Sequence, residues 1–360
     1  MEADICSKPV TRYKHPFSEG LSRNNCRCTL MRRNHDLTTI SQRLLSYVRS
    51  ELDTHHLTYL FPLTPVTGGY NTRVFSFQLK GASLALSRTL ILRLFRDTNP
   101  RRAIFESAVQ NAIASTGFPV PCVFFTCTDA LVLGGNFMIM ELLPGQPMLN
   151  LPMPSIPKLL VTTHLHLHNI NVDAIRTALD SAGIHRNTYS LTRRLEWLAK
   201  QIEPKGLEGL QSGVRWLIEN RPEAPERAVI CHGDFHPINI LVRDGQVRGV
   251  LDWSGFLVGD PAYDIGITKV LGIQVAPFLF PTIEWAHMIK LYCDYYQRER
   301  PVDPERIVYY EALRCLWALL EGAAGHTAFS RLEIMRTLST HFEQIADVRI
   351  ADPRNRVPSL

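Results

Sequence analysis

The chain has no apolar run long enough to cross a bilayer; the longest candidate, VLGIQVAPFLFPTI from Val270 to Ile283, is interrupted by Pro277 and Pro281. It lacks a G-x-x-x-x-G-K-S/T loop, which removes P-loop ATPases, and a G-x-S-x-G elbow, which removes the corresponding serine hydrolases. Its eight cysteines include no C-x-x-C pair, and most sit among apolar neighbours, as free thiols in a reducing compartment do. Cys26 and Cys28 have no downstream ligands at zinc-finger spacing. A net charge of +5, from 39 basic and 34 acidic residues, contains no basic run dense enough for nucleic acid. Neither an apolar segment nor a small-residue cleavage site marks residues 1–36 as a secretory signal, and Glu2 and Asp4 argue against a transit peptide. The expectation is a cytoplasmic protein that binds neither membrane nor nucleic acid.

What is present is enough apolar material, 45% of 360 residues, for a large core in two lobes. After a polar stretch to residue 37, helical spacing from Leu37 to Leu52 puts Leu44, Leu45, Val48 and Leu52 on one face. VTGGYN is a turn leading into the alternating run TRVFSFQL; TLILRLF, VPCVFFTC and NFMIMEL read as further strands, with the amphipathic helix RRAIFESAVQNAIAST between them. The proline-rich LPGQPMLNLPMPSIP separates these from a mainly helical remainder, with helices expected at 156–169, 190–202, 207–220, 281–298, 304–322 and 330–346.

The densest chemistry lies on the β-type runs that interrupt this remainder. In ICHGDFHPINIL, Asp234 and Asn239 are five apart on a loop, and INILV and VRGVLDW form a hairpin about Asp244-Gly245 that brings Asp252 back toward Asn239. Two carboxylates and an amide oxygen suit a hard divalent cation, which commonly accompanies phosphate. Phosphoryl transfer needs this inventory, with one carboxylate for the acceptor's hydroxyl proton and an Asn plus an Asp for magnesium.

The run HGDFHPINILV…GVLDWSGFLVGDPAYDIG resembles the aminoglycoside and macrolide phosphotransferase family, whose fold is similar to that of the protein kinases. The resemblance implies an α+β, protein-kinase-like two-lobed fold, with a small antiparallel β lobe of five strands and one helix beside a larger, mainly helical lobe. It divides the chain into a poorly ordered leader (1–37), a nucleotide-binding lobe (38–141), a hinge and connector (142–157), a catalytic and acceptor-binding lobe (158–346) and a tail (347–360). By this likeness Asp234 is the catalytic base, Asn239 and Asp252 are the magnesium ligands, and His232 braces the loop. His236 faces the acceptor, faces the phosphates or stabilises the loop. Gly68, Gly69, Tyr70 and Asn71 match the phosphate-covering turn. Arg93 stands where the kinases present a lysine, with Glu106 as its helix partner, and the backbone from Glu141 to Leu143 would hold adenine. Asp260 and Asp264 of GDPAYD are expected to cap and tie the segment rather than do chemistry.

The implied activity is Mg²⁺-dependent transfer of the γ-phosphoryl of ATP, or of GTP, to a hydroxyl of a small molecule. A protein acceptor is disfavoured because GDPAYD follows Asp252 within a dozen residues, too soon for a regulated activation segment. The rival is a catalytically silent nucleotide-binding scaffold, against which stands the presence of Asp234, Asn239 and Asp252 together. HLHLH places His164 and His168 on one helix face, a spacing compatible with zinc, but it reads better as lobe packing. The acidic and basic residues between 170 and 225 do not select an acceptor.

Overall fold

The structure is a computed structural model and describes residues 26–66, 72–95, 99–202, 207–326 and 328–350, with side chains from Leu37 onward. Two compact units emerge: the described residues up to Ala103 with Val123–Leu142, and Ile104–Cys122 with the chain from Leu143.

The first unit opens with helix α1 (Cys26–Glu51), longer than the 37–52 helix expected because neither glycine nor proline interrupts 26–36. Ile40, Leu44 and Val48 recur at helical spacing and are buried. Strands β1 (Thr58–Val66), β2 (Thr72–Lys80), β3 (Thr89–Phe95), β4 (Val123–Cys127) and β5 (Phe137–Glu141) form one antiparallel sheet in the order β1-β2-β3-β5-β4. In β2 the alternation buries Phe75, Phe77 and Leu79 against α1 residues and β3, while Ser76 and Gln78 stay part-exposed. Each such aromatic or leucine contributes roughly 1.5–3 kcal/mol by leaving water.

Helix α2 (Pro100–Ala114) bridges β3 and β4 in sequence, yet most of it groups with the second unit. The reason is its core face: Val109, Ala112 and Ile113, with Phe118 and Val120 beyond, pack into the second unit's apolar cluster. The sequence boundary at 141 therefore misses an exchange at 104–122. A four-residue helix, α3 (Ala130–Leu133), capped by Asp129, precedes the Gly134-Gly135 turn.

The second unit carries a short strand β6 (Gln146–Pro147) and helices α4 (Ile156–His168), α5 (Val172–Ser181), α6 (Leu191–Ile202) and α7 (Gln211–Glu219). Then come β7 (Val229–Cys231), β8 (Ile240–Arg243), β9 (Gln246–Val250) and β10 (Leu257–Gly259). Helices α8 (Pro261–Val270), α9 (Ala276–Leu279), α10 (Trp285–Glu299), α11 (Pro304–Ala323) and α12 (Leu332–Ala346) complete it, a π-helical turn at Leu271–Val275 joining α8 to α9. Helix α10 starts at Trp285 rather than at 281, because Pro281–Ile283 form a turn. Strands β6, β8 and β9 make a three-stranded antiparallel sheet, and β7 pairs with β10. Helix α8 is buried almost throughout and lies against α11 at Gly266, where a Cβ would come within 2.8 Å of the Ile307 carbonyl. Among the described residues no helix is long and apolar enough to cross a membrane.

Candidate active site

Strand β7 runs straight into the polar loop, and β8 leaves it, so the loop is anchored at both ends by buried backbone. Residues 236–239 form a tight turn, the Asn239 N–H donating to the His236 carbonyl at 3.0 Å. The hairpin expected from the sequence is present: β8 pairs with β9 across Asp244-Gly245, and the Leu251 N–H returns to the Asn239 carbonyl at 2.8 Å. Asp252 is thereby held one residue from Asn239's backbone partner. It has φ 65° and ψ 76°, a left-handed conformation that few residues with side chains adopt. Such backbone conformations cost about 1–3 kcal/mol and cluster at functional sites.

Within the loop, Asn239 Nδ2 donates to Asp234 Oδ2 at 2.9 Å and to the Asp234 carbonyl at 3.0 Å. This fixes the amide orientation and leaves Oδ1 without a donor among the described residues, an oxygen suited, like the Asp252 carboxylate, to a hard cation. His236 Nε2 lies 3.4 Å from Asp234 Oδ2 and 3.3 Å from Asn239 Nδ2, so this ring closes the loop. Burial pushes the Asp234 carboxyl up, but His236 beside it and the charge of Arg314 outweigh that and hold it well below the usual range. Asp234 is therefore ionised at neutral pH while its side chain keeps 28% of its exposure.

His232 is fully buried and links three segments. Its ring Nε2 reaches the Leu251 carbonyl at 3.0 Å, so Nε2 carries the proton; Nδ1 accepts the Asp234 N–H at 3.1 Å. Burial lowers its pKa, which keeps this neutral tautomer. Next to it Gly233 has φ +78°, and a Cβ there would sit 2.2 Å from the Gly255 carbonyl oxygen.

Beneath the loop lies Asp264, on α8 and fully buried. Its carboxylate accepts four N–H groups: those of His232 (2.8 Å) and Gly233 (2.6 Å), and Nε2 of His164 and of His168, both at 3.1 Å. Burial alone would raise its pKa, yet His164 and His168 beside it hold it far below the carboxylate range. Because an ionised carboxylate only accepts, both histidines carry the proton on Nε2, and their Nδ1 atoms accept the hydroxyls of Tyr292 (2.7 Å) and Tyr296 (2.6 Å). Burial, with His164 adjacent, pushes His168 down to about 3. The ligand atoms of His164, His168 and Asp264 lie within 4.8 Å of one another, but their lone pairs and protons are consumed by this network, so the cluster is a hydrogen-bonded hub rather than a zinc site. Asp260 caps α8 through the Ala262 N–H at 2.9 Å and pairs with Arg306 at 2.5 Å.

The structure thus joins His232, Asp234, His236 and Asn239 directly, with Asp252 adjoining. Arg93 is buried in β3 of the first unit, opposite Val74 and Met138, its guanidinium 5.3 Å from the Phe95 ring centre. Glu141 ends β5 in that unit and pairs with Arg88 at 2.7 Å. Glu106 is fully buried on α2 in the second unit, and Leu143 packs there beside Gly249. Gly68, Gly69, Tyr70 and Asn71 lie outside the described residues. Sequence reasoning missed two arginines near the loop, Arg194 and Arg314. A charge inside the apolar run YYEALRCLWALL was the available signal for the second.

An aminoglycoside phosphotransferase crystallised as a ternary complex with AMP-PNP and hygromycin B superposes with a TM-score of 0.59 at 16% identity, covering 84% of this chain and 97% of that one. The macrolide 2'-phosphotransferase of Brachybacterium faecium gives 0.50 at 19% identity, covering 82% and 98%. These likenesses establish a protein-kinase-like fold. Acyl-CoA dehydrogenase family member 11 of Pongo abelii is 30% identical over 175 residues, 44% of this chain but 22% of that protein, so the chain spans about a fifth of this relative's length. The model of the phosphotransferase enzyme family matches residues 62–307, more than half of the sequence, and the chain belongs to that family.

Proposed function

We propose that the chain transfers the γ-phosphoryl group of ATP, or of GTP, to a hydroxyl of a small molecule. The observation that carries this reading is the 2.9 Å bond from Asn239 Nδ2 to Asp234 Oδ2, which ties the carboxylate awaiting the acceptor's proton to a residue whose free oxygen suits a cation. Asp234 orients the acceptor O–H and takes its proton as the new O–P bond forms and the bond to the β-phosphate breaks, releasing the nucleoside diphosphate. Its depressed pKa makes it a weak base, so it acts chiefly by orientation and accepts the proton late. Asn239 and Asp252 would hold Mg²⁺, which would neutralise charge on the phosphates.

His232 keeps the loop in register, and His236 restrains the Asp234 carboxylate. In the first unit Arg93 would bind phosphate as a planar fork rather than a point charge. Gly68, Gly69, Tyr70 and Asn71 would cover the phosphates, and the backbone from Glu141 to Leu143 would bind adenine. Cys127, Cys231, Cys293 and Cys315, free thiols among the described residues, agree with a reducing, cytoplasmic setting.

The test is an acceptor panel read by mass, comparing wild type with Asp234→Asn. The panel should hold aminoglycosides and macrolides, after the structural neighbours, and hydroxylated acyl thioesters, after the names of the curated relatives. Asp234→Asn should lower transfer by about 10²- to 10⁴-fold while retaining nucleotide binding. Wild-type protein that binds MgATP yet modifies no acceptor and hydrolyses no ATP would leave the scaffold reading in its place.

A further inference from the structure

Helix α11 is apolar along most of its length but carries Arg314 at its centre, 4% exposed. Its guanidinium lies between the rings of Trp317 (4.9 Å) and Phe329 (4.8 Å), and Nη1 donates to Glu321 at 3.0 Å. Nε, also buried, has no partner among the described residues. An arginine cannot shed its proton to relieve burial, so an open N–H here is costly until an acceptor arrives.

A second guanidinium, Arg194 of α6, sits on the same Trp317 ring at 4.3 Å and donates through Nη2 to the Gly255 carbonyl at 3.2 Å. That carbonyl abuts Gly233, the residue before Asp234, at a distance that leaves no room for a Cβ. Two fixed cations and one carboxylate, Glu321, therefore border the loop, while Asp234 and Asp252 are committed to the acceptor's proton and the metal. Glu321, the ion-pair partner of Arg314, is part-exposed, as are Arg194, Asp234 and His236.

We propose that the acceptor carries an oxyanion, a carboxylate or a phosphate, that docks on Arg314 and Arg194 beside the Asp234 loop; this rests on the phosphotransferase reading above. A guanidinium fork matches the two oxygens of such a group, and Nε is one of the two positions from which a bidentate pair is made. The charge of Arg314 is felt at the loop, lowering Asp234 and helping to depress His326, which burial pushes down to about 4. A polycationic acceptor would meet repulsion at the same place.

The full chain with MgATP is offered lactate and glycerol phosphate, each beside its uncharged counterpart, propanediol and glycerol, with kanamycin as a polycation. The anionic member of each pair should have the higher kcat/KM by about tenfold or more, as a charge-assisted pair provides. Lactate and glycerol phosphate separate carboxylate from phosphate. Arg314→Met paired with Glu321→Gln, which strands no buried charge, should bring the ratio near one, and Arg314→Lys should restore part of it. Because both guanidiniums stack on Trp317, anion binding is also read from its fluorescence, taken as the difference from Trp317→Phe. A saturable change with either anion, lost in the double variant, supports the site independently of turnover. Equal use of charged and uncharged acceptors, preference for kanamycin, or transfer and fluorescence both indifferent to the anions overturns it. Absence of any transfer or ATP hydrolysis would instead remove the phosphotransferase reading, and the fluorescence titration would still decide the anion site.

Discussion

Replacing Asp264 by Asn changes few atoms and should cost more than almost any other polar substitution in the chain. The carboxylate takes three donors on Oδ2 (His232 N–H, His164 Nε2, His168 Nε2) and one on Oδ1 (Gly233 N–H). An amide with its oxygen in the Oδ2 position sets an NH₂ against the Gly233 N–H, formerly 2.6 Å from an acceptor. One buried donor is then orphaned, at about 1–3 kcal/mol, and three bonds lose their charge assistance, at about 1 kcal/mol each. The flipped amide lets both histidines exchange tautomers, since the tyrosine hydroxyls can accept instead, but it strands the His232 N–H. Either way the loss is about 4–6 kcal/mol, a large part of the 5–15 kcal/mol typical of a folded domain. Urea unfolding of Asp264→Asn against wild type measures it, and phosphate transfer should fall as residues 232–234 lose their seat. A shift under about 1 kcal/mol with unchanged transfer would refute the claim that this carboxylate is ionised and fully engaged.

Other outcomes follow from the same geometry. Asp252→Ala should weaken Mg²⁺-dependent nucleotide binding by tenfold or more, about 1.4 kcal/mol, measured by titration with and without the metal; binding within threefold of wild type counts against its role. Gly233→Ala places a methyl 2.2 Å from the Gly255 carbonyl and demands φ +78°, so transfer should drop sharply, read against Gly117→Ala, where φ is also positive but nothing lies within 4 Å. Stability should fall as the medium is acidified below about pH 6.5. His168, pushed from 6.5 to about 3 by burial, binds a proton in the unfolded chain before it does in the folded one, so its contribution is complete above 6.5 and lost between 6.5 and 3. At pH 5 this residue alone accounts for about 2 kcal/mol. Asp264, depressed instead, loses its contribution only below about pH 4. An unfolding midpoint flat between pH 7 and pH 5 would contradict the neutral, buried imidazole.

The geometry of the Asp234 loop was legible because its residues are close in sequence: Asp234 and Asn239 are five apart, and the hairpin that returns Asp252 is marked by Asp244-Gly245. The strands of the first unit were readable from alternation such as that of Phe75, Phe77 and Leu79, but not their order in the sheet. Helix α5 was harder, since only Val172, Ile175 and Leu179 signal two turns, and β10 has three residues, too few for a period. The exchange of α2 between units has no local signature, because an amphipathic helix declares that it has an apolar face but not which core receives it. His164 and His168 showed their shared face, yet the carboxylate they serve lies 100 and 96 residues away, and nothing nearby names it.

Those separations have a kinetic consequence. Asp264 gathers donors from α4, about a hundred residues upstream, and from the loop after β7, 31 and 32 residues upstream, so the loop's seat is made of contacts that close late and at high entropic cost. Regular helices and the β8–β9 hairpin can form from their neighbours in sequence. Asp234 reaches its working position only when α4, α8 and β7 have all docked. During refolding, recovery of secondary structure should therefore run ahead of recovery of phosphate transfer, and activity serves as a reporter of the final consolidation of the second unit.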